Sequence, residues 1–167
     1  MLSRDRPQLV LHIGRPKTGT TAIQRFLSES GSWLRSQGWY YPTAGRGTSY
    51  GHHELARSIA FSDRAAQTGL FPRLLSNSQL TSNIIISSEM FSNIRFTSQL
   101  TDFRKAFSSH TWTVLLYVRE PVKFLAASYA QRVQATNYSG PFTEYAFSHQ
   151  LRLPETEFVK VFETIGS

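Results

Sequence analysis

The segment from Leu9 to Thr21 constrains the fold more than any other part of the chain. It begins with LVLHI, which is typical of a buried strand, continues through the turn GRPKTG, and ends in hydroxyl residues that open an apolar helical pattern. A strand that runs through a glycine turn into a helix leaves the first N–H groups of the helix free, and the helix dipole favours negative charge there. Lys17 adds a positive charge, and Thr20 adds a hydroxyl donor beside Thr21. The segment therefore predicts a binding loop for phosphate or a similar anion.

Composition supports an anionic ligand. The 167 residues carry 18 Lys and Arg against 11 Asp and Glu, a formal net charge of +7. The basic residues are spread singly along the chain, so nucleic acid, which needs a dense basic stripe or a reader motif, is not the expected partner. The absence of cysteine excludes disulfides and thiolate chemistry. No apolar run approaches the ~20 residues of a membrane span, and the first seven residues contain no apolar signal segment, so we expect a cytoplasmic protein.

Two further strand patterns define the fold class. They are NIIISSE at positions 83–89 and TWTVLLYV at positions 111–118. A short extended segment is expected at 39–42, a glycine-rich loop at 43–51, and helical patterns near 20–27, 31–38, 52–60, 70–75, 99–107, 121–135, 142–151 and 155–165. This order predicts one α/β domain over residues 1–167, with a central parallel sheet flanked by helices.

The chemistry of such a sheet is expected at the carboxyl ends of its strands. The three strand ends are the turn at 14–19, the sequence SSE at 87–89 and the sequence REP at 119–121. Because parallel strands end on the same side, we expect these three segments to share one rim.

A nucleoside triphosphate fits this loop less well than another anion. The Walker pattern places its lysine directly after a glycine, whereas Lys17 precedes Gly19 by two positions. A triphosphate site also needs a carboxylate at a strand end to hold magnesium, and neither of the other strand ends offers a clear aspartate. The loop is therefore expected to hold its anion without a metal ion. A small-molecule kinase stays as a weaker alternative, as does a turn that merely caps the helix.

Two motifs together resemble a known family. Lys17-Thr-Gly-Thr-Thr21 after a strand resembles the 5′-phosphosulfate loop of sulfotransferases that use 3′-phosphoadenosine 5′-phosphosulfate (PAPS). The sequence VREPVKFLAASYAQ at positions 118–131 is similar to the family's 3′-phosphate motif, a strand ending in arginine, then X-Pro and a helix with serine and tyrosine. The likeness is closest to the bacterial branch and spans positions 9–133. It implies a P-loop NTPase-like three-layer fold, PAPS as donor, no metal, and a hydroxyl or amine acceptor such as a carbohydrate.

The resemblance also implies roles for individual residues. Lys17 would contact the 5′-phosphate and the oxygen that bridges to sulfur, where negative charge grows as the sulfuryl group leaves. Arg119 would bind the 3′-phosphate through its guanidinium fork; its alternative is a salt bridge at the strand end, for example with Glu120. The implied donor-binding set is Arg15, Pro16, Lys17, Thr18, Gly19, Thr20, Thr21, Arg119 and Ser128.

The second motif departs from the family at one position. The family serine lies eight residues after the arginine, where this chain has Ala127, and Ser128 follows at nine. One residue along a helix is a rotation of about 100°. Ser128 therefore either reaches the 3′-phosphate through an adjusted helix start or makes no contact, and the lost bond would weaken donor binding by roughly 1.5–3 kcal/mol.

The acceptor needs a general base within hydrogen-bond reach. The candidates are His52, His53 and Glu89, and the family uses either residue type, so the resemblance does not choose between them. The histidine pair is favoured because it follows the glycine-rich loop and opens a helix. The alternative for Glu89 is a helix cap or a salt bridge to Lys17 or Arg119.

A metal site is not expected at His52 and His53. Neighbouring helical residues point to different faces, and no third ligand is evident. His12 lies inside the first strand and is expected to be a packed or hydrogen-bonded core residue.

The resemblance ends near position 135, whereas family members usually continue with a helix-flanked element and a basic loop over the adenine. Three explanations are open: a truncated chain, a shortened paralogue, or a fold completed by a partner chain or a second copy. A non-catalytic relic that binds nucleotide or a partner protein is therefore the alternative function.

Overall fold

Four parallel strands form the centre of the part of the protein that this computed structural model describes, residues 6–61, 73–74, 82–94, 97–148, 159–161 and 163. The strands are β1 (Gln8–Gly14), β2 (Trp39–Tyr40), β3 (Asn83–Ser87) and β4 (Thr111–Tyr117). Their order across the sheet is β2–β3–β1–β4. Helices flank this sheet, so the predicted α/β class with a central parallel sheet is confirmed.

The helices follow the predicted patterns closely where the structure describes them. They are α1 (Thr20–Glu29), α2 (Gly31–Ser36), α3 (His53–Ala60), α4 (Thr101–Ala106), α5 (Pro121–Thr136) and α6 (Phe142–Ser148), with 3₁₀ helices at Glu89–Asn93 and Thr97–Leu100. The helical patterns predicted at 70–75 and 155–165 lie largely outside the described residues. Among the described helices, none combines the length and apolar character that crossing a membrane requires.

Strand β1 fixes the rim at which the predicted motifs meet. It pairs with β3 on one side, where His12 stands opposite Ser87, and with β4 on the other, where Gly14 stands opposite Tyr117. Since both pairings are parallel, the carboxyl ends of all three strands lie on the same side of the sheet. The expectation of a shared rim is confirmed.

One strand was not counted in the sequence prediction. The extended segment at 39–42 contributes the edge strand β2, in which Trp39 and Tyr40 pair with Asn83 and Ile84 of β3. Two residues are too few to show the alternation that identifies a strand, and Pro42 cannot donate to a ladder. Strand β2 is therefore defined by its pairing with β3 and not by a pattern in its own sequence.

Alternating side chains divide the core between the two faces of the sheet. On one face Leu9, Leu11 and Ile13 of β1 pack under α3 and α4, whose Leu55 and Phe103 are fully buried. A smaller cluster covers the other face under α1 and α2; its members are Leu27, Leu34, Tyr41, Ile23, Trp39 and Ile85.

Helix α5 differs from its prediction in what it buries. The sequence predicts an apolar stripe along this helix, formed by Val122, Leu125, Ala126, Tyr129 and Val133. Only Leu125 of this stripe is buried, and the Val122 side chain is 61% exposed. Tyr129 instead makes edge-to-face contacts with Tyr138, Phe142 and Tyr145, and its hydroxyl donates to the Gly140 carbonyl. The stripe thus packs partly against α6, because the next element along the chain supplies its partners.

Replacing Phe103 tests the large core cluster. Phe103 is fully buried and contacts the Phe107 and Trp112 rings edge-to-face, so Phe103→Ala should lower the free energy of unfolding by about 3–5 kcal/mol in urea titrations. Phe61→Ala is the matched control, since that side chain is 70% exposed, and should change it by less than about 0.5 kcal/mol. Equal losses in the two variants would contradict this description of the core.

Candidate functional site

The turn between β1 and α1, which we call the anion loop (residues 14–20), has the backbone of an anion-binding turn. Lys17 and Gly19 both have positive φ, 69° and 88°, whereas Thr18 between them does not. Such alternation turns successive N–H groups toward a common concavity. Gly19 precedes α1 without a side-chain cap, and no acidic side chain lies in the first turn. The first N–H groups of α1 therefore keep their capacity to bind an anion.

Two glycines make this conformation possible for different reasons. Gly19 needs its left-handed φ, although a Cβ there would meet no atom within 4 Å. At Gly14 the constraint is space, because a Cβ would lie 2.8 Å from the Tyr117 carbonyl oxygen. Lys17 adopts the left-handed region without being glycine, at a cost of roughly 1–2 kcal/mol. Strain of this kind concentrates at functional sites, where the surrounding structure maintains it.

The second predicted motif reaches the anion loop. Arg119, just after β4, donates from Nη1 to the Lys17 carbonyl at 2.8 Å, across 102 positions of sequence. The Arg15 guanidinium lies 3.8 Å from the centre of the Phe124 ring on α5. Pro16 is exposed, as is Lys17. The structure thus brings the basic residues of both motifs to one end of the sheet.

Glu120 caps α5. Its two carboxylate oxygens accept from the N–H groups of Val122 and Lys123, each at 2.9 Å. These two bonds lower the pKa of Glu120. Pro121 then supplies the first residue of the helix, which fixes the geometry directly after Arg119.

Glu89 lies at the end of β3 and is tied to α1. Its Oε2 accepts from Gln24 Nε2 at 2.8 Å and from Thr20 Oγ1 at 3.4 Å. Glu89 therefore contacts the anion loop through Thr20, and these bonds take the place of the ion pair with Lys17 or Arg119 that was considered as its alternative. Gln24 is 2% exposed, so its amide is committed to this contact.

His53 completes a small acid–base pair with Glu89. His53 Nδ1 lies 2.7 Å from Ser88 Oγ, and His53 Nε2 lies 3.8 Å from Glu89 Oε1. The two side chains retain 24% and 18% exposure. Ser88 also caps the 3₁₀ helix by accepting from the Met90 N–H at 3.0 Å. One ring nitrogen of His53 is thus held by Ser88, and the other faces the carboxylate at a solvent-accessible position.

His52 has the opposite environment. It is fully buried and packs edge-to-face on Tyr41, with ring centroids 4.7 Å apart. Nε2 donates to the Pro42 carbonyl at 3.0 Å, while Nδ1 accepts from the Ser87 N–H at 3.2 Å. Burial lowers the pKa of His52 to about 3. Both ring nitrogens are therefore used inside the fold, and only His53 of the histidine pair reaches the rim.

The remaining predicted residues divide between the core and the surface. His12 is 3% exposed, with Nδ1 2.7 Å from Ser87 Oγ, as predicted for a packed and hydrogen-bonded histidine. Thr18 donates to the Arg15 carbonyl at 2.7 Å and closes the turn. Thr21 is exposed at the start of α1. Ser128 is half-buried on α5, and no described contact joins it to the anion loop.

Sequence reasoning missed Gln24 and Ser88. A weak signal existed for each: Gln24 follows Thr20 by one helical turn and so shares its face, and Ser88 directly precedes Glu89 at the strand end. Among the residues that the structure describes, no group of three or more His, Asp or Glu side chains is placed to hold a metal ion.

No family model, curated protein or solved structure matches the chain.

The buried His52 gives folding a testable pH dependence. Its folded pKa of about 3 lies below its ordinary value of 6.5, so the unfolded chain takes up the proton first as the pH falls. The free energy of unfolding should therefore decrease from about pH 6.5 downward, by at most about 1.4 kcal/mol per pH unit from this group. In urea titrations between about pH 7 and pH 5, His52→Gln should show a shallower decrease than the wild type.

A cavity variant separates this effect from general destabilisation. Leu55→Ala removes a fully buried apolar side chain and leaves every titratable group in place, so its free energy of unfolding should keep the wild-type pH slope. A wild-type slope in His52→Gln would contradict the buried, neutral state of this histidine.

Proposed function

We propose that the protein is a sulfotransferase that moves a sulfuryl group from PAPS to a hydroxyl or amine acceptor, with a carbohydrate as the expected acceptor class. One observation carries the proposal. The Arg119 contact with the Lys17 carbonyl brings both motifs of the resemblance together, and Thr20 links the same loop to the acid–base pair of His53 and Glu89. The strand order, with the loop directly after the central β1, supports the P-loop NTPase-like architecture that the resemblance implies.

The residues present fit a donor with two separate anionic ends. The anion loop offers free N–H groups and the Lys17 ammonium for one end, and Arg119 offers a bidentate guanidinium for the other. Bound PAPS would supply the phosphosulfate bond from which the sulfuryl group is transferred. To bind a 3′-phosphate, Arg119 gives up its hydrogen bond to the Lys17 carbonyl. The exchange is favourable because a hydrogen bond between a guanidinium and a phosphate is stronger than one between a guanidinium and a neutral carbonyl.

We assign to Lys17 the role of stabilising the negative charge that grows on the bridging oxygen of the donor as the sulfuryl group leaves. Its side chain is exposed beside the free N–H groups of α1, so it can follow the bridging oxygen of the donor. A cation held there stabilises charge that is larger in the transition state than in the ground state, which raises the rate of the chemical step.

His53 is the residue assigned to accept the proton of the acceptor. Its Nε2 lies 3.8 Å from Glu89 Oε1, so an acceptor hydroxyl that donates to Nε2 at about 2.8 Å passes its proton to a ring that already faces a carboxylate. Ser88 holds the other ring nitrogen, and the Glu89 carboxylate stabilises the protonated ring. The base role is not assigned to His52, because both of its ring nitrogens already have partners inside the core.

One observation favours a second candidate, a small-molecule kinase. Glu89 lies 3.4 Å from the Thr20 hydroxyl, which is the kind of carboxylate–hydroxyl pair that holds magnesium beside a triphosphate. The firm bond from Gln24 to the same carboxylate oxygen argues for a structural use instead. Magnesium-dependent binding of ATP would support the kinase.

Nucleotide binding tests the donor assignment. Calorimetric titration with 3′-phosphoadenosine 5′-phosphate should show saturable binding that is unchanged by magnesium. Lys17→Ala and Arg119→Ala each remove a charged hydrogen-bond donor, so each should weaken binding by about 1.5–3 kcal/mol, or about 10–150-fold.

Two exposed residues provide controls of equal charge change. Lys105→Ala on α4 and Arg57→Ala on α3 each remove one positive charge from the surface, and each should weaken binding less than about threefold. No saturable binding by the wild-type protein, or equal losses in the controls, would overturn the proposal. Binding of ATP that requires magnesium would replace it with the kinase.

Separate variants test the acid–base pair. His53→Gln and Glu89→Gln should reduce transfer of labelled sulfate from PAPS to a panel of glycans and amines by about 10²–10⁴-fold, while the affinity for 3′-phosphoadenosine 5′-phosphate changes less than about threefold. Unchanged transfer in His53→Gln would show that another group accepts the proton. Nucleotide binding without transfer to any member of the panel would favour the non-catalytic relic.

A further inference from the structure

Gln24 has no role in the proposed reaction, yet its buried amide contacts several parts of the candidate site. It is 2% exposed on α1, and its Nε2 donates to Glu89 Oε2 at 2.8 Å. The glycine-rich loop closes over it, because a Cβ at Gly51 would lie 2.6 Å from Gln24 Cδ. One buried amide therefore touches the helix of the anion loop, the end of β3 and the loop that precedes His53.

Glu89 Oε2 accepts a second hydrogen bond, from Thr20, and an anion bound in the loop can compete for that hydrogen bond. Thr20 Oγ1 donates to Glu89 Oε2 at 3.4 Å from the first residue of α1. A threonine hydroxyl carries a single proton, so it cannot donate to Glu89 and to an anion in the loop at once. Gln24 is outside that competition, since its amide lies one helical turn further along α1. When the Thr20 hydroxyl donates its hydrogen bond to an anion instead of to Glu89, the hydrogen bond from Gln24 keeps the Glu89 carboxylate in place.

We propose that Gln24 is a positioning residue that holds the Glu89 carboxylate beside His53, so that anion binding in the loop and proton uptake by the acid–base pair are coupled through Glu89. The inference rests on the proposed function of the anion loop. Loss of the Thr20 hydrogen bond leaves the Glu89 charge less neutralised, and the carboxylate then attracts a proton to His53 more strongly. Anion binding therefore makes His53 a stronger base toward the acceptor, and the fraction of a proton taken up on binding measures that change.

Other charged and titratable groups lie around the pair and are common to every variant. His52 adjoins His53 on α3, and Arg46 on the glycine-rich loop acts electrostatically on His52. His12 of β1 and Tyr41 after β2 both interact electrostatically with Glu89. Because these groups stay in place, a difference between variants reports on Gln24, Thr20 or Glu89.

Calorimetry measures the coupling directly in the full chain. Binding of 3′-phosphoadenosine 5′-phosphate near pH 7 is followed in two buffers of different ionisation enthalpy, which gives the number of protons taken up per nucleotide bound. Gln24→Met keeps the size of the side chain and removes its amide, and it should reduce proton uptake at least twofold, as should Glu89→Gln. Gln37→Met makes the same change at an exposed glutamine after α2 and should match the wild type.

A second pair of variants covers the case in which Gln24→Met does not fold, judged by its circular dichroism. Thr20→Ser keeps the hydroxyl and should show wild-type proton uptake, whereas Thr20→Val removes it and should show less. Wild-type proton uptake in Gln24→Met or in Glu89→Gln would overturn the coupling. If Gln24→Met does not fold, wild-type proton uptake in Thr20→Val would overturn it. In each case, saturable binding of the nucleotide would still support the donor site.

Inorganic pyrophosphate separates failure of the inference from failure of the proposed function. If the wild-type protein binds pyrophosphate but not the nucleotide, the proposed donor is wrong, and the same variants test the coupling with pyrophosphate. If it binds neither, both the proposed function and the coupling are overturned.

Discussion

The parallel pairing of β1 with β3 and β4 is the constraint on which the rest of the site depends. Because β1 is hydrogen-bonded on both sides and its Leu9, Leu11 and Ile13 side chains are buried in the large core cluster, the point at which it ends is fixed. The close approach of Gly14 to the Tyr117 carbonyl joins the ends of β1 and β4. The anion loop, Glu89 and Arg119 then follow within a few residues of three aligned strand ends. A shift of one residue in either pairing would separate them, since it would turn every side chain of that strand to the other face.

The adjacent residues His52 and His53 show how the position of each side chain relative to the sheet gives two identical residues different environments. At the start of a helix neighbouring side chains diverge by about 100°, so one of them points into the core and the next points along the rim. His52 is turned toward the Pro42 carbonyl and the β3 backbone, and its burial keeps it neutral. His53 is turned toward Ser88 and Glu89 at the surface. The sequence alone could not separate the pair, because nothing in two identical side chains indicates which of them the sheet will bury.

Prediction from the sequence succeeded where the cause is local. The backbone of the turn at 14–20 follows from glycine at a left-handed position before a helix, and the start of α5 follows from Pro121; both are properties of neighbouring residues. It failed where the cause is tertiary. Strand β2 exists through its pairing with β3, the α5 stripe packs partly on α6 in place of the main core, and Gln24 gains its role only because Glu89 arrives from another part of the chain.

In the proposed function, one rim of the sheet holds both anionic ends of a PAPS-like donor. The most direct measurement is a crystal structure of the protein with 3′-phosphoadenosine 5′-phosphate bound. The 5′-phosphate should lie within hydrogen-bond distance of the first N–H groups of α1 and of Lys17 Nζ. The Arg119 guanidinium should leave the Lys17 carbonyl and bind the 3′-phosphate. A nucleotide bound away from this loop, or an Arg119 that keeps its carbonyl partner while other residues hold the 3′-phosphate, would contradict the proposed function.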